Sequence, residues 1–285
     1  MTVSLQEKIT IKPLGKHTGA EVTGIDLREP LDDETKQQLN AALVEWCCLV
    51  FPGQDLSPDD YIKAVALFSK PVEQNYSLYH LDGHPLINTV SNRHMGPEGK
   101  PVYHSAYWHT DHTNRECPPD YTVLYAVELP DEGGQTGVLN TTAGFEALPD
   151  AMKKRLDGLQ TFNVQKGSAA KKASLKKVLD DDWKQFEKPM PQPLVRTHPV
   201  TGRKAIFVNT QFTLRIKGMK QRESQALLDL LYEQAHIPEY QFRLRWKPDT
   251  IALWDNRSTQ HYAANDYYPN RRHMERVAVI GDEPV

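Results

Sequence analysis

Tyr121-Thr122-Val123-Leu124-Tyr125-Ala126-Val127 is the stretch on which the fold turns. β-branched, aromatic and aliphatic residues fill it, and it reads as a β-strand. Similar short runs recur at Ile87–Val90, Leu194–Thr197, Ala205–Asn209, Phe242–Trp246, Ile251–Trp254 and Arg276–Ile280, with Gly, Pro and Asn turns between them. That rhythm belongs to an antiparallel sandwich or barrel. Two helical stretches, Thr142–Leu159 and Gln221–His236, interrupt it; the second carries Leu227, Leu228, Leu231 and Tyr232 at helical spacing.

Toward the N-terminus the pattern changes. Ile9–Lys12 is a short β-like run. Asp32-Asp33 opens a helix with Leu39, Ala42, Leu43 and Trp46 on one face. Cys48–Phe51 then reads as a buried strand stopped by Pro52-Gly53. Ser57-Pro58-Asp59-Asp60 is a capping box with Pro at the first helical position, which predicts a helix to about Phe68. The class is therefore α+β, mainly β. No repeat and no linker divides the 285 residues, so one domain is expected over 1–285. Gln165–Pro193 is rich in Lys and Asp and long for a turn. It reads equally as a lid insert and as a solvated amphipathic one.

Composition narrows the function. Apolar residues make up 39%, enough with the 16 Gly for a sizeable core. Lys plus Arg (34) nearly balances Asp plus Glu (37), and the net charge of −3 offers no basic field for nucleic acid and no membrane anchor. No apolar run suits a membrane span, and the first residues lack a signal-peptide core. Cys47, Cys48 and Cys117 form no disulfide framework and read as reduced, mostly buried thiols. A cytoplasmic protein acting on a small molecule is the expectation.

With 11 His and 37 acids, chance alone supplies His-x-Asp/Glu tripeptides, so context must decide among the three present. His80-Leu81-Asp82 lies in a loop-like stretch. His273-Met274-Glu275 is surrounded by Arg271, Arg272 and Arg276, which repel a dication and suit Glu275 as an arginine's partner. His109-Thr110-Asp111 sits in a strand-like run, where residues i and i+2 share a face. His261, just past the apolar run Ile251–Trp254, is the strongest third ligand. Two His and one carboxylate on one face of an ion leave three positions open, the geometry of non-haem Fe(II) oxygenases. The same set also binds Zn2+, so a zinc hydrolase on a β-barrel stays open, as does a catalytically silent binding protein.

Three segments resemble the taurine dioxygenase / 2,4-dichlorophenoxyacetate dioxygenase family of Fe(II)- and 2-oxoglutarate-dependent oxygenases. They are Trp108-His109-Thr110-Asp111, Gly133-Gly134-Gln135-Thr136-Gly137, and Trp254-Asp255-Asn256-Arg257-Ser258-Thr259-Gln260-His261 followed by Arg271–Arg276. Gly19–Leu27, Val50–Gln54 and His198–Lys204 are similar to the family too, so the likeness spans essentially the whole chain in order. It implies a double-stranded β-helix (jelly-roll, cupin-like) core with flanking helices, and His109, Asp111 and His261 as catalytic iron ligands. It implies that Thr136 and Arg272 bind the distal carboxylate of 2-oxoglutarate, and that Arg276 meets a substrate anion. A buried carboxylate needs a charged partner, and a guanidinium supplies two parallel hydrogen bonds.

The implied reaction oxidises an unactivated C–H bond with O2, giving succinate and CO2. Hydroxylation is the default outcome; desaturation, cyclisation or rearrangement are the alternatives. Tyr76, Tyr79, His80, Tyr103, His104, Tyr107 and Phe212 are candidate pocket residues. With Arg276 they suit a small carboxylate, sulfonate or amino-acid derivative with some apolar body. Ser105, His112, Asn114 and Gln135 depart from the taurine enzymes, which puts taurine itself in question. The family habit implies a homo-oligomer, dimer or tetramer.

Overall fold

The computed structural model describes residues 9–74, 79–93, 106–165, 188–235 and 237–285. Tyr121–Glu128 forms β7, at the middle of the largest sheet. It is flanked by β15 (Ile251–Asp255) and β17 (His273–Val279), both antiparallel to it. Outward on one side lie β3 (Cys48–Phe51), β2 (Ala20–Thr23) and β1 (Thr10–Pro13), with β2 and β3 parallel. On the other lie β6 (His84–Ser91) and β5 (His80–Leu81), while β4 (Pro71–Val72) pairs the far end of β17.

Strand alternation gives this sheet two apolar faces. Val123 and Tyr125 of β7 join Leu49, Phe51, Ile251, Leu253, Val277 and Val279 on the outer face. That face is covered by α1 (Asp33–Trp46) and α2 (Pro58–Ala66), through Leu39, Leu43, Tyr61 and Val65. Both helices start where their capping residues predict: the Asp32 side chain accepts from the Thr35 N–H, and Ser57 from Asp60. The inner face presents Leu124, Ala126, Ala252, Trp254 and Met274 to Val138, Phe242 and Leu244 of a second sheet. That sheet runs β14 (Gln241–Leu244), β8 (Thr136–Asn140), β16 (Thr259–Ala263), and it closes the barrel. Each large side chain buried between the layers contributes about 1.5–3 kcal/mol.

A third layer lies beside the barrel. β9 (Gln160–Asn163) sits between β10 (Met190–Pro193) and β13 (Thr213–Ile216), and β11 (Val195–Thr197) pairs β12 (Lys204–Ile206). Here Leu156, Leu194, Ile206, Val208 and Ile216 pack beneath Leu227, Leu228 and Leu231 of α5 (Gln221–Ala235). The helix expected over Thr142–Leu159 is in fact two, α3 (Thr141–Glu146) and α4 (Asp150–Leu156). Pro149 divides them, since it has no N–H for the preceding turn and excludes the helical conformation at Leu148. Residues 166–187 of the expected insert lie outside the described residues, and so do Tyr76, Tyr103 and His104. No helix among the described residues is long and apolar enough to cross a membrane.

Candidate metal centre and co-substrate pocket

His261 lies on β16 opposite Val138, so its ring faces the barrel interior and packs on Trp254, centroids 4.6 Å apart. His109 reaches it through a single antiparallel bridge: each backbone N–H donates to the other's carbonyl, at 3.0 and 2.8 Å. The strand expected through Asp111 stops at that bridge. Asp111 begins a turn instead, anchored by the Thr110 hydroxyl donating to the Thr259 carbonyl at 2.7 Å and continued by His112 at φ 52°. The turn, rather than strand alternation, brings the carboxylate to the imidazoles. Asp111 Oδ1 lies 3.5 Å from His109 Nε2 and 4.0 Å from His261 Nε2. One donor atom from each of the three buried residues falls within 4.8 Å of the others.

The protonation states suit a cation. The Tyr107 carbonyl can only accept, so His109 Nδ1 donates to it at 2.8 Å and leaves the Nε2 lone pair toward Asp111. Burial pushes His261 down to about 3, so this imidazole is neutral at neutral pH. Burial opposes ionisation of Asp111, but the electropositive pocket around it, with the Arg276 guanidinium 3.9 Å away, holds the carboxyl well below its usual range. A neutral imidazole at His261, the His109 ring held by its Nδ1 contact, and the Asp111 carboxylate suit Fe(II) with open positions.

Along the same inner face, two residues from Val138, stands Thr136. Its Oγ1 accepts from Trp246 Nε1 at 2.9 Å and from Arg272 Nη2 at 3.4 Å. With both lone pairs engaged, its hydroxyl hydrogen is left to donate. Arg272 is only 3% exposed and donates through Nε to the Gly134 carbonyl at 3.0 Å. Burial lowers its pKa to about 10, yet it stays charged at neutral pH. Among the described residues no acid pairs with it. A buried guanidinium without a counter-ion beside a hydroxyl with a spare hydrogen fits the carboxylate of 2-oxoglutarate. The neighbouring glycines make room: a Cβ on Gly134 would lie 3.0 Å from Arg272 Cδ, and one on Gly137 2.7 Å from the Trp108 ring. Sequence reasoning misses Trp246, which reads only as the end of a strand; nothing in Phe242–Trp246 marks its N–H.

Arg276 occupies the other side. Its Nη1 lies 3.9 Å from Asp111 Oδ1 and its buried Nε has no hydrogen-bond partner among the described residues. Cross-strand register places Asn88 of β6 beside Arg276, and His80 of β5 beside Asn88, in one row. His80 Nε2 donates to the Gln74 carbonyl at 2.8 Å. Phe212 is buried with its ring 6.4 Å from that of His109. Tyr79 is half-buried, and its carbonyl accepts from Thr89. Tyr107 is 67% exposed, and its carbonyl turns inward to His109. Glu275 faces away from the site and no arginine among the described residues pairs with it, so that expectation is also corrected; strand alternation puts it on the opposite face from Arg276.

The fold and the site define the class: a jelly-roll oxygenase with a two-His, one-carboxylate centre and a cationic co-substrate pocket. The sequence model of the taurine catabolism dioxygenase TauD, TfdA family matches residues 10–278, and the chain belongs to that family. It is 31% identical over 294 residues to the alpha-ketoglutarate-dependent sulfate ester dioxygenase of Pseudomonas putida, covering 98% of this chain and 91% of that one. It is also 31% identical over 279 residues to the (S)-phenoxypropionate/alpha-ketoglutarate-dioxygenase of Sphingobium herbicidovorans, covering 95% of each. The crystal structure of a taurine dioxygenase from Burkholderia xenovorans superposes with a TM-score of 0.83 at 33% identity, covering 97% of this chain and 91% of that one. The protein is an Fe(II)- and 2-oxoglutarate-dependent oxygenase.

Proposed function

We propose that His109, Asp111 and His261 hold Fe(II), that Arg272 and Thr136 hold the distal carboxylate of 2-oxoglutarate, and that the enzyme hydroxylates a small organic anion whose headgroup meets Arg276. The observation that carries this is the buried Arg272, charged and with no acidic partner among the described residues, next to Thr136. When bound, the iron would activate O2, the oxidant, with two electrons drawn from 2-oxoglutarate; one oxygen atom would go to succinate as CO2 leaves, and the other would oxidise the substrate C–H. The chain's own residues position and shield. Arg272 and Thr136 set the depth and direction of the co-substrate. Trp254 supports the His261 ring from below, and Phe212 presents an apolar wall beside His109. A reacting carbon held near the centre with water excluded is the protein's main contribution to rate.

The substrate class rests on Arg276, with His80 and Asn88 in its row. The named substrates of the relatives include a sulfate ester and an aryloxy acid, both anions with an apolar body. His112 and Asn114, buried in the turn that follows Asp111, add polar groups close to the metal-site carboxylate. That favours a sulfate ester, sulfonate or carboxylate other than taurine. Reduced, buried Cys47 and Cys48 support a cytoplasmic setting, and the family habit supports a homo-oligomer, which sedimentation reads directly.

Anaerobic addition of Fe(II) and then 2-oxoglutarate to metal-free protein is the test. A weak visible charge-transfer band that is absent in His109→Ala supports the centre. Alkyl sulfates, sulfonates, aryloxyalkanoates and N-acyl amino acids are then added in turn, and the compound that shifts the band and couples 2-oxoglutarate turnover to its own oxidation is the substrate. No band, with tight Zn2+ uptake, would overturn the reading.

A further inference from the structure

Thr122 stands on the inner face of β7, fully buried, and its hydroxyl lies 2.8 Å from Asp111 Oδ2. Asp111 Oδ1 is the oxygen that faces His109 and His261. The second oxygen of the metal-site carboxylate is therefore already engaged by the barrel wall.

The direction of that hydrogen bond follows from a third residue. Asn256 Nδ2 lies 3.1 Å from the Pro119 carbonyl and 2.9 Å from Thr122 Oγ1. A carbonyl can only accept, so the amide is oriented with its NH2 toward both. Thr122 Oγ1 accepts from that NH2, and its single hydrogen goes to Asp111. Asn256 is itself fixed, because it is buried and its backbone N–H donates to the Asp120 carbonyl at 2.8 Å. The result is a one-way relay, from Asn256 to Thr122 to Asp111 Oδ2.

We infer that Thr122, oriented by Asn256, is a positioning residue that makes Asp111 a one-oxygen ligand. The chemistry explains why this matters. A carboxylate that chelates through both oxygens takes an extra coordination position. Two of the open positions are needed for 2-oxoglutarate and one for O2, so a chelating carboxylate would compete with them. A hydrogen bond to the outer oxygen also fixes the carboxylate's rotation before any ion arrives, as outer partners of metal ligands do. This inference rests on the proposed metal site at His109, Asp111 and His261.

The test uses the full-length metal-free protein with Mn(II) alone, read as loss of the free-ion electron paramagnetic resonance signal, and Co(II), read by its d–d absorption. Thr122→Val keeps the shape and removes the donor. It is expected to weaken Mn(II) binding roughly 10–100-fold and to move the Co(II) bands, while Thr122→Ser, which keeps the hydroxyl, returns both to the parent values. A purely structural role would lower the melting temperature of the metal-free variant and leave the Co(II) spectrum where it was. Asn256→Ala, which frees the hydroxyl to rotate, gives a smaller loss in the same direction and serves if Thr122→Val does not fold. A folded variant with the parent's Mn(II) affinity and Co(II) spectrum overturns the relay alone. A parent protein that takes up no Mn(II) overturns the metal site and the relay together.

Discussion

The two halves of the cavity are built differently. The half proposed for the co-substrate rests on strand residues and their hydrogen bonds: Thr136 on β8, Trp246 just past β14, and Arg272 entering β17, joined by Gly134. The half proposed for the substrate holds Arg276 and, by the same proposal, draws on short strand ends and loops such as His80, Phe212 and the turn after Asp111. One half is preorganised for a molecule that never changes. The other would combine a constant charge with strand-end and loop residues that single substitutions can alter.

The sharpest test removes what both halves share. Asp111→Ala should abolish the Fe(II)–2-oxoglutarate band altogether, because neutral imidazoles alone lack the anionic ligand; a persistent band would mean the ion sits elsewhere. Arg272→Met should leave metal affinity intact while raising the KM for 2-oxoglutarate by roughly 30-fold or more, from a lost desolvated charge contact of about 2–5 kcal/mol. The same substitution relieves an uncompensated buried charge, so the melting temperature without 2-oxoglutarate should rise rather than fall.

Arg276→Ala should act mainly on the opposite half. Substrate KM rises about 10–100-fold, for a charged hydrogen bond worth about 1.5–3 kcal/mol, and the band formed without substrate stays. An equal rise in the KM for 2-oxoglutarate would erase the division between the halves. Trp246→Phe removes one donor to Thr136 and should raise the KM for 2-oxoglutarate by about 2–10-fold, for a neutral hydrogen bond of about 0.5–1.5 kcal/mol. Tyr107→Ala is the mildest: with its ring 67% exposed, steady-state kinetics should change by less than about twofold, within the usual range for surface substitutions.

Much of this design is legible in the residues themselves. The β-rich runs, the two N-terminal helices with their Asp32 and Ser57 caps, and the three ligand residues all announce themselves by residue type and spacing. Legibility ends where local chemistry gives way to context. Pro149 splits a helix whose apolar spacing runs straight through it. His109-Thr110-Asp111 has the spacing of a strand, but its strand ends at the first residue, where its one bridge to His261 is made. Tyr107 has the chemistry of a pocket residue, yet contributes its carbonyl.

Residue order alone dictates the period-two apolar runs, hence the layered β-rich fold, and the residue types that suit iron and a dicarboxylate. Which atoms of those residues face each other is settled by tertiary packing. Trp246 meets Thr136 across 110 positions of chain, and Asn256 meets Thr122 across 134. Such partners carry no local pattern, because strand pairing sets their contact and side-chain alternation sets its direction. A hydroxyl becomes the donor to one carboxylate oxygen only when the register of two sheets has placed it there.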